Sequence, residues 1–328
     1  MLTKLIIENY KSIEKAGLEF SKINLLIGPN GSGKSSVLEA YKMLILQSGA
    51  PRTKRDFLRV VHNHDTTKEI VIEGMFSQVN VSYIYLSFGI VEETVLPSWN
   101  FEGEYEKARK FFHVLDADRN IEARLKGVLA TPEDATSWNA HQLFYYTALR
   151  TEFQDNIRLI REFYSRYGLN NIRWVPTERE GEYEIIATTP EGVDVNIADA
   201  GAGLAALFPI VVALSFYPEG STIFIEHPEM HLHPKLQYEL AEFFLMVSEK
   251  RDYQLIIETH SEHLLYGLLN AVAQKRMKPE ELTIYSTRKE NGKSVFEKMT
   301  VHEDGSLEGN ISDFLEADIN AFLDWLKA

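Results

Sequence analysis

Gly28-Pro29-Asn30-Gly31-Ser32-Gly33-Lys34-Ser35 lies between two segments of opposite character. Before it, Ile23-Asn24-Leu25-Leu26-Ile27 is a short, nearly continuous apolar run, the pattern of a strand covered on both faces. After it, from Lys34 to about Gln47, the apolar residues follow a helical pattern. Strand, glycine-rich loop and helix form the first half of a parallel α/β unit. The loop fits G-x-x-x-x-G-K-[ST], a phosphate-loop pattern. Its glycines let successive backbone N–H groups turn onto phosphate oxygens, and the helix N-terminus adds positive potential. On that pattern Asn30, Gly31, Ser32, Gly33 and Ser36 belong to the cradle. Lys34 reaches the β- and γ-phosphates, and the Ser35 hydroxyl sits on Mg²⁺.

Working outward, Leu5-Ile6-Ile7 and the segments 69–75 and 81–91 read as further strands. From Asn100 to Tyr167 charged and aromatic residues fall at helical spacing, as in Tyr105–Phe111–Phe112 and Ile157–Ile160–Phe163–Tyr164. Thr131-Pro132-Glu133-Asp134 has the composition of a helix start. A mostly helical insertion is therefore expected over 76–174, dividing a lobe made of 1–75 and 175–328. Beyond Gly168, Glu184–Thr188, Pro190-Glu191-Gly192 and Val193–Ile197 predict a hairpin. A helix from about Leu204, a strand Thr222–Ile225, a helix Pro234–Val247 and a strand Gln254–Glu258 follow in order. Thr283–Arg288 and Ser294–Thr300, joined at Asn291-Gly292, predict a second hairpin. The fold class expected is α/β, a P-loop NTPase with a mixed sheet flanked by helices.

The 328 residues carry 34 Lys+Arg against 48 Asp+Glu, a net charge of −14, which is the reverse of a basic nucleic-acid binder. The chain contains no cysteine, which excludes a disulfide scaffold, a thiol nucleophile and Cys-ligated metal. The most apolar stretch, Leu204–Tyr217, carries Pro209 and falls short of the roughly twenty residues of a spanning helix. Polar residues interrupt MLTKLIIENYKSIEK, so it lacks the unbroken core of a secretory signal. A soluble, cytoplasmic protein with no membrane partner is expected.

A phosphate loop needs a carboxylate at the end of a neighbouring strand to hold the hydrated cation. Thr222-Ile223-Phe224-Ile225-Glu226 supplies one. Around it, Glu226-His227-Pro228-Glu229-Met230-His231-Leu232-His233-Pro234 resembles the Walker B and D-loop segment of ABC-type ATPase heads, in the group that contains SMC, RecF and OLD-nuclease ATPases. Leu255–Ser261, ending Thr259-His260-Ser261, resembles their switch segment, and Leu5–Ile13 resembles their first strand.

The resemblance covers residues 1–48 and about 195–275 and implies a P-loop NTPase of ABC-head type using ATP and Mg²⁺. Carried over by position, Lys34 and Ser35 bind phosphate and metal, Glu226 supports the metal, and His260 meets the γ-phosphate or attacking water. Lys11 approaches the phosphates from the first strand. Two departures stand out. His227 occupies the place of the family's water-polarising glutamate, where a neutral imidazole can accept a proton, with Glu229 as the alternative base. The signature turn, placed at Asp199–Leu204 with Gly201 and Gly203, lacks its usual serine, and no Ser or Thr occurs from Ala198 to Ala213. The resemblance implies a head-to-tail ATP-induced homodimer hydrolysing ATP in DNA maintenance or defence against mobile DNA, with possible DNA and a separate effector or nuclease as partners. The alternative is an ATP-dependent dimerisation switch with little hydrolysis.

Other constellations are weaker. The histidines 227, 231, 233, 260 and 263 suggest a metal cluster, yet each falls inside an ATPase motif, with no ordered acid set to complete a site. His62-Asn63-His64 and Asp116-Ala117-Asp118 imitate nuclease motifs out of context. Phe144-Tyr145-Tyr146 and Leu149 read as core or partner surface.

Overall fold

The computed structural model describes residues 1–47, 49–77, 81–91, 94–117, 125–126, 143–144, 147–148 and 150–310. The chain divides into two compact units. The first comprises Met1–Val114, Glu219–His227 and the chain from Tyr238 onward. The second comprises Leu115–Pro218 and Pro228–Gln237.

The first unit is built on a seven-stranded mixed sheet. Its strands lie in the order Leu307–Glu308, Lys293–Val301, Leu282–Glu290, Ile23–Ile27, Gln254–Glu258, Thr222–Glu226 and Phe112–Leu115. Ile23–Ile27 and Gln254–Glu258 are buried at every position, which is why their sequences read as unbroken runs. The parallel register pairs Glu226 with Glu258 and Glu258 with Leu26, so three strands end together beside the glycine loop. That carboxyl edge is where ligands of open parallel sheets bind.

A second, antiparallel sheet has the order Ile13–Glu19, Leu2–Tyr10, Ile70–Phe76, Val81–Val91 and Thr94–Gly103. The helix Lys34–Leu46 packs against both sheets, burying Val37, Leu38, Tyr41, Met43, Leu44 and Ile45 in one core with Leu5, Ile7, Ile72, Ile84 and Phe224. Gln254 ties the first strand to the central sheet: its amide accepts from Leu2 N (2.7 Å) and donates to Leu2 O (2.7 Å).

In the second unit, Glu182–Thr188 pairs antiparallel with Asn170–Pro176 and with Asp194–Asn196. The helix Gln154–Ser165 packs on Ala202–Phe216, where Tyr164 Oη donates to the Leu204 carbonyl (2.8 Å) and Phe144 meets Phe208 edge-on. No helix among the described residues is long and apolar enough to cross a membrane.

The predicted strands and hairpins of the core lobe form, as does the helix after the loop. The first strand, however, lies in the antiparallel sheet between Ile70–Phe76 and Ile13–Glu19, the latter an element the sequence reading did not identify. The insertion also differs. Among the described residues of 76–174, Val81–Val91 and Thr94–Gly103 form a hairpin that extends the first unit's sheet, and the division falls at Leu115. Trp99, Phe101 and Tyr105 cluster with centroids 4.6–5.7 Å apart where the edge strand passes into a five-residue helix, Tyr105–Arg109. Phe112 begins a strand instead of continuing that helix, because Phe111 O is held by Thr222 N (2.8 Å). The expected helix start at Thr131–Asp134 lies outside the described residues, as do Asp118, Tyr145, Tyr146 and Leu149.

Candidate functional site

The glycine loop takes its shape from the hairpin Leu282–Val301. Gly28 has φ 140°, and a Cβ there would lie 2.1 Å from the Thr287 carbonyl oxygen. Gly33 has φ 117°, and its Cβ would lie 2.2 Å from Ser294 Oγ. Only glycine fits either approach. Thr287 Oγ1 donates to Ile27 O (2.8 Å), which leaves Ser32 Oγ to donate to Thr287 Oγ1 (2.6 Å). The helix after the loop starts at Gly33 with no side-chain cap and no acid in its first turn, so its N-terminal positive end is left to the loop.

Lys34 is only 3 % exposed, and its Nζ donates to the carbonyls of Gly28 (2.9 Å) and Pro29 (3.0 Å). Ser35 Oγ donates to Glu258 Oε1 (2.7 Å). Glu258 is 1 % exposed, and its Oε2 has no hydrogen-bond partner among the described residues. Burial pushes the Glu258 carboxyl above its ordinary range, and neighbouring Glu226 adds to the shift. The Ser35 hydrogen bond, His227 and Lys34 oppose it. Glu226, at the end of the adjacent strand, is partly buried.

His227 adopts φ 43°, its N–H donates to Glu258 O (2.8 Å), and its Nε2 stands 3.6 Å from Glu258 Oε1. Its ring stacks on His260, with centroids 5.0 Å apart and planes 9° from parallel. Thr259 and Ser261 brace His260 on both sides. Thr259 Oγ1 accepts from Ser261 N (2.9 Å), and Ser261 Oγ caps the helix Glu262–Ala273 by accepting from Leu264 N (2.9 Å).

A cavity of about 320 Å³ opens here. Of the predicted site residues, Lys11, Asn30, Gly31, Gly33, Lys34, Ser35, Ser36, His227 and His260 line it. Lys11 pairs with Glu39, and its carbonyl meets His62 Nδ1 (2.8 Å), which gives His62 a structural place. Ser32 is turned toward Thr287. Gly201, Gly203 and Glu229 belong to the second unit and are not among the lining residues. Gly201 (φ 97°) precedes the helix Ala202–Phe216, and Gly203 packs so closely on the His231 carbonyl that a Cβ would lie 3.0 Å from it. His231, His233 and His263 are exposed.

The lining also contains Ser12, Glu258 and Lys289, which the sequence reading did not single out. Glu258 carried a signal: it ends an apolar strand in an acid just as Glu226 does. Lys289 carried none, because only the folded hairpin brings it to the loop.

A family model described as "AAA ATPase domain" matches residues 1–133. Another, described as "AAA domain, putative AbiEii toxin, Type IV TA system", matches 105–265. Between them the two models span residues 1–265, and the chain is similar to AAA-type ATPase domains over that stretch. Its fold is that of an SMC head. The SMC head domain from Thermotoga maritima superposes with a TM-score of 0.56 at 14 % identity, covering 90 % of this chain and 98 % of that one. A Pyrococcus furiosus Smc head with an extended coiled coil, bound to the C-terminal domain of ScpA, gives 0.58 at 13 % identity and covers 100 % of both chains. In sequence, the chain is 38 % identical over 92 residues to the DNA replication and repair protein RecF of Vibrio campbellii. It is 35 % identical over 77 residues to the DNA double-strand break repair Rad50 ATPase of Methanopyrus kandleri. These matches take in 27 % and 23 % of this chain but only 24 % and 8 % of the relatives' lengths.

Proposed function

We propose that the chain binds ATP with Mg²⁺ at the glycine loop and hydrolyses it as a head-to-tail homodimer. The observation that carries this reading is the joint placement of Lys34, Ser35 and Glu258 at the carboxyl edge of the parallel strands. The loop amides and Lys34 bind the phosphates, Lys34 exchanging its bonds to Gly28 O and Pro29 O for phosphate oxygens. Ser35, Glu226 and Glu258 offer oxygen donors suited to a divalent cation, and the orphaned Glu258 Oε2 fits that use. The cation supplies charge neutralisation on the phosphates. His260 orients the attacking water or the γ-phosphate, and with Lys34 it stabilises charge in the transition state.

The signature-like turn at Gly201–Gly203 of a second copy completes each site by presenting backbone N–H groups. The RecF, Rad50 and SMC likenesses support a role in DNA repair or chromosome handling, and the toxin–antitoxin family model supports a role in defence. A separate effector protein would receive the ATP-driven change. Steady-state Mg-ATP hydrolysis by the purified chain, beside Lys34→Ala, tests the reading. Turnover abolished by that change supports it, and turnover no higher than the Lys34→Ala blank overturns the hydrolytic part.

His227 in the place of a carboxylate favours a second reading, a dimerisation switch with little turnover. It requires that ATP drive association while phosphate release stays at the level of the blank.

A further inference from the structure

We propose that Glu226, His227 and Glu258 form a divalent-metal site of one nitrogen and two carboxylate donors, which takes a borderline transition ion such as Mn²⁺, Co²⁺ or Zn²⁺ in preference to Mg²⁺. One ligand atom from each of the three lies within 4.8 Å of the others. Donors bound to one ion at about 2.1 Å stand at most about 4.2 Å apart, so small side-chain adjustments close the site.

The backbone already fixes the three positions. Glu226 and Glu258 are register partners on adjacent parallel strands. His227 follows directly, with its chain turned at φ 43° and its N–H on the Glu258 carbonyl (2.8 Å). Stacking on His260 holds the imidazole plane.

The second observation is the unanswered oxygen. Glu258 is buried to 1 % exposure, and Ser35 occupies only its Oε1. Oε2 is sealed from water without a hydrogen bond. Polar atoms in that situation are costly unless paired, and a cation is the partner that suits a carboxylate oxygen.

The donor set then selects the ion. Mg²⁺ is held by oxygen and gives up its waters reluctantly, whereas an imidazole nitrogen shifts preference along the transition series. His227 therefore acts as a ligand through Nε2. Whether the bound ion serves ATP cleavage rests on the function proposed above; that it binds does not.

The test uses the full chain, stripped of metal by a chelator and free of nucleotide. Mn²⁺ is titrated by electron paramagnetic resonance, with Mg²⁺ as competitor, and pulsed measurements read ¹⁴N coupling to the bound ion. One Mn²⁺ per chain is expected, bound at least tenfold more tightly than Mg²⁺ and showing nitrogen coupling. His227→Gln should weaken Mn²⁺ binding at least tenfold, abolish the coupling and leave Mg²⁺ affinity within twofold. Lys34→Ala should lose ATP yet keep the Mn²⁺ site, which separates this proposal from the nucleotide reading. Mn²⁺ bound without nitrogen coupling, equal competition by Mg²⁺, or unchanged affinity in His227→Gln would each overturn it. The first two are read on the unaltered chain and stand even where a variant fails to fold.

Discussion

Ser35 and Glu258 are 223 positions apart in the chain and are joined by a single 2.7 Å hydrogen bond. The bond ties the first turn of the helix after the loop to the end of the strand beside the loop strand, and it holds a buried carboxylate at the cavity. In an inactive protein this would be an expensive arrangement, because a carboxylate sealed from water carries a desolvation cost. Glu258→Gln preserves the shape and can still accept from Ser35, but it removes the charge. ATP turnover should fall tenfold or more, about 1.4 kcal/mol in the barrier, while the melting temperature holds or rises. A variant that melts earlier yet turns over normally would make Glu258 a purely structural residue.

The two glycines against the C-terminal hairpin should be far less replaceable than the one between them. A Cβ at Gly28 meets the backbone oxygen of Thr287 at 2.1 Å, and its φ of 140° is strained for any L-residue. Gly28→Ala is expected to cost about 2–5 kcal/mol, combining backbone strain with an overlap that cannot relax. At Gly31 (φ 74°) a Cβ meets nothing within 4 Å, so Gly31→Ala should cost about 1–2 kcal/mol from the left-handed backbone alone. Urea unfolding of both variants gives the comparison, and equal costs would mean the hairpin does not restrain the loop.

The sequence made the loop legible because phosphate binding by backbone amides demands glycine at fixed spacing, and the central strands legible because burial on both faces demands unbroken apolar runs. Glu226 was legible as the acid that ends a strand near the loop, whereas His260 was placed only by the resemblance of its segment to the family's switch. Glu258 carries the same strand-end signal as Glu226, but its pairing with Ser35 is set by which strand lies next to which, and no local pattern reports that. The same holds for Lys289 and for the hydroxyl pair Ser32–Thr287, which depend on the hairpin folding back over the loop. Thr94–Gly103 was misread for a related reason: an exposed edge strand keeps little apolar alternation, and its pairing with Val81–Val91 is what fixes it.

His227→Glu restores an all-oxygen donor set beside Glu226 and Glu258. Mg²⁺-supported turnover should rise at least tenfold over the unaltered chain, and any preference for Mn²⁺ over Mg²⁺ should shrink. Parallel hydrolysis assays in the two metals provide the readout. Lower turnover in both would indicate that the imidazole itself is needed in the reaction.

His113 offers a pH test remote from this chemistry. It lies in the edge strand Phe112–Leu115 and is buried, and that burial pushes its imidazole from the ordinary 6.5 down to about 3. The unfolded chain takes up a proton at His113 as pH falls through about 6.5, while the folded chain stays neutral there until about 3. The stabilisation is therefore complete above the unfolded value and is lost progressively as pH falls toward the folded one. The slope is at most about 1.4 kcal/mol per pH unit. Other groups titrate in the same window, so the informative quantity is a difference. Unfolding free energies measured between about pH 6 and pH 4 should fall less steeply in His113→Gln than in the unaltered chain, by nearly one proton's worth. Parallel curves for the two proteins would mean that His113 takes up its proton without unfolding, and that the edge of the sheet opens to water in acid.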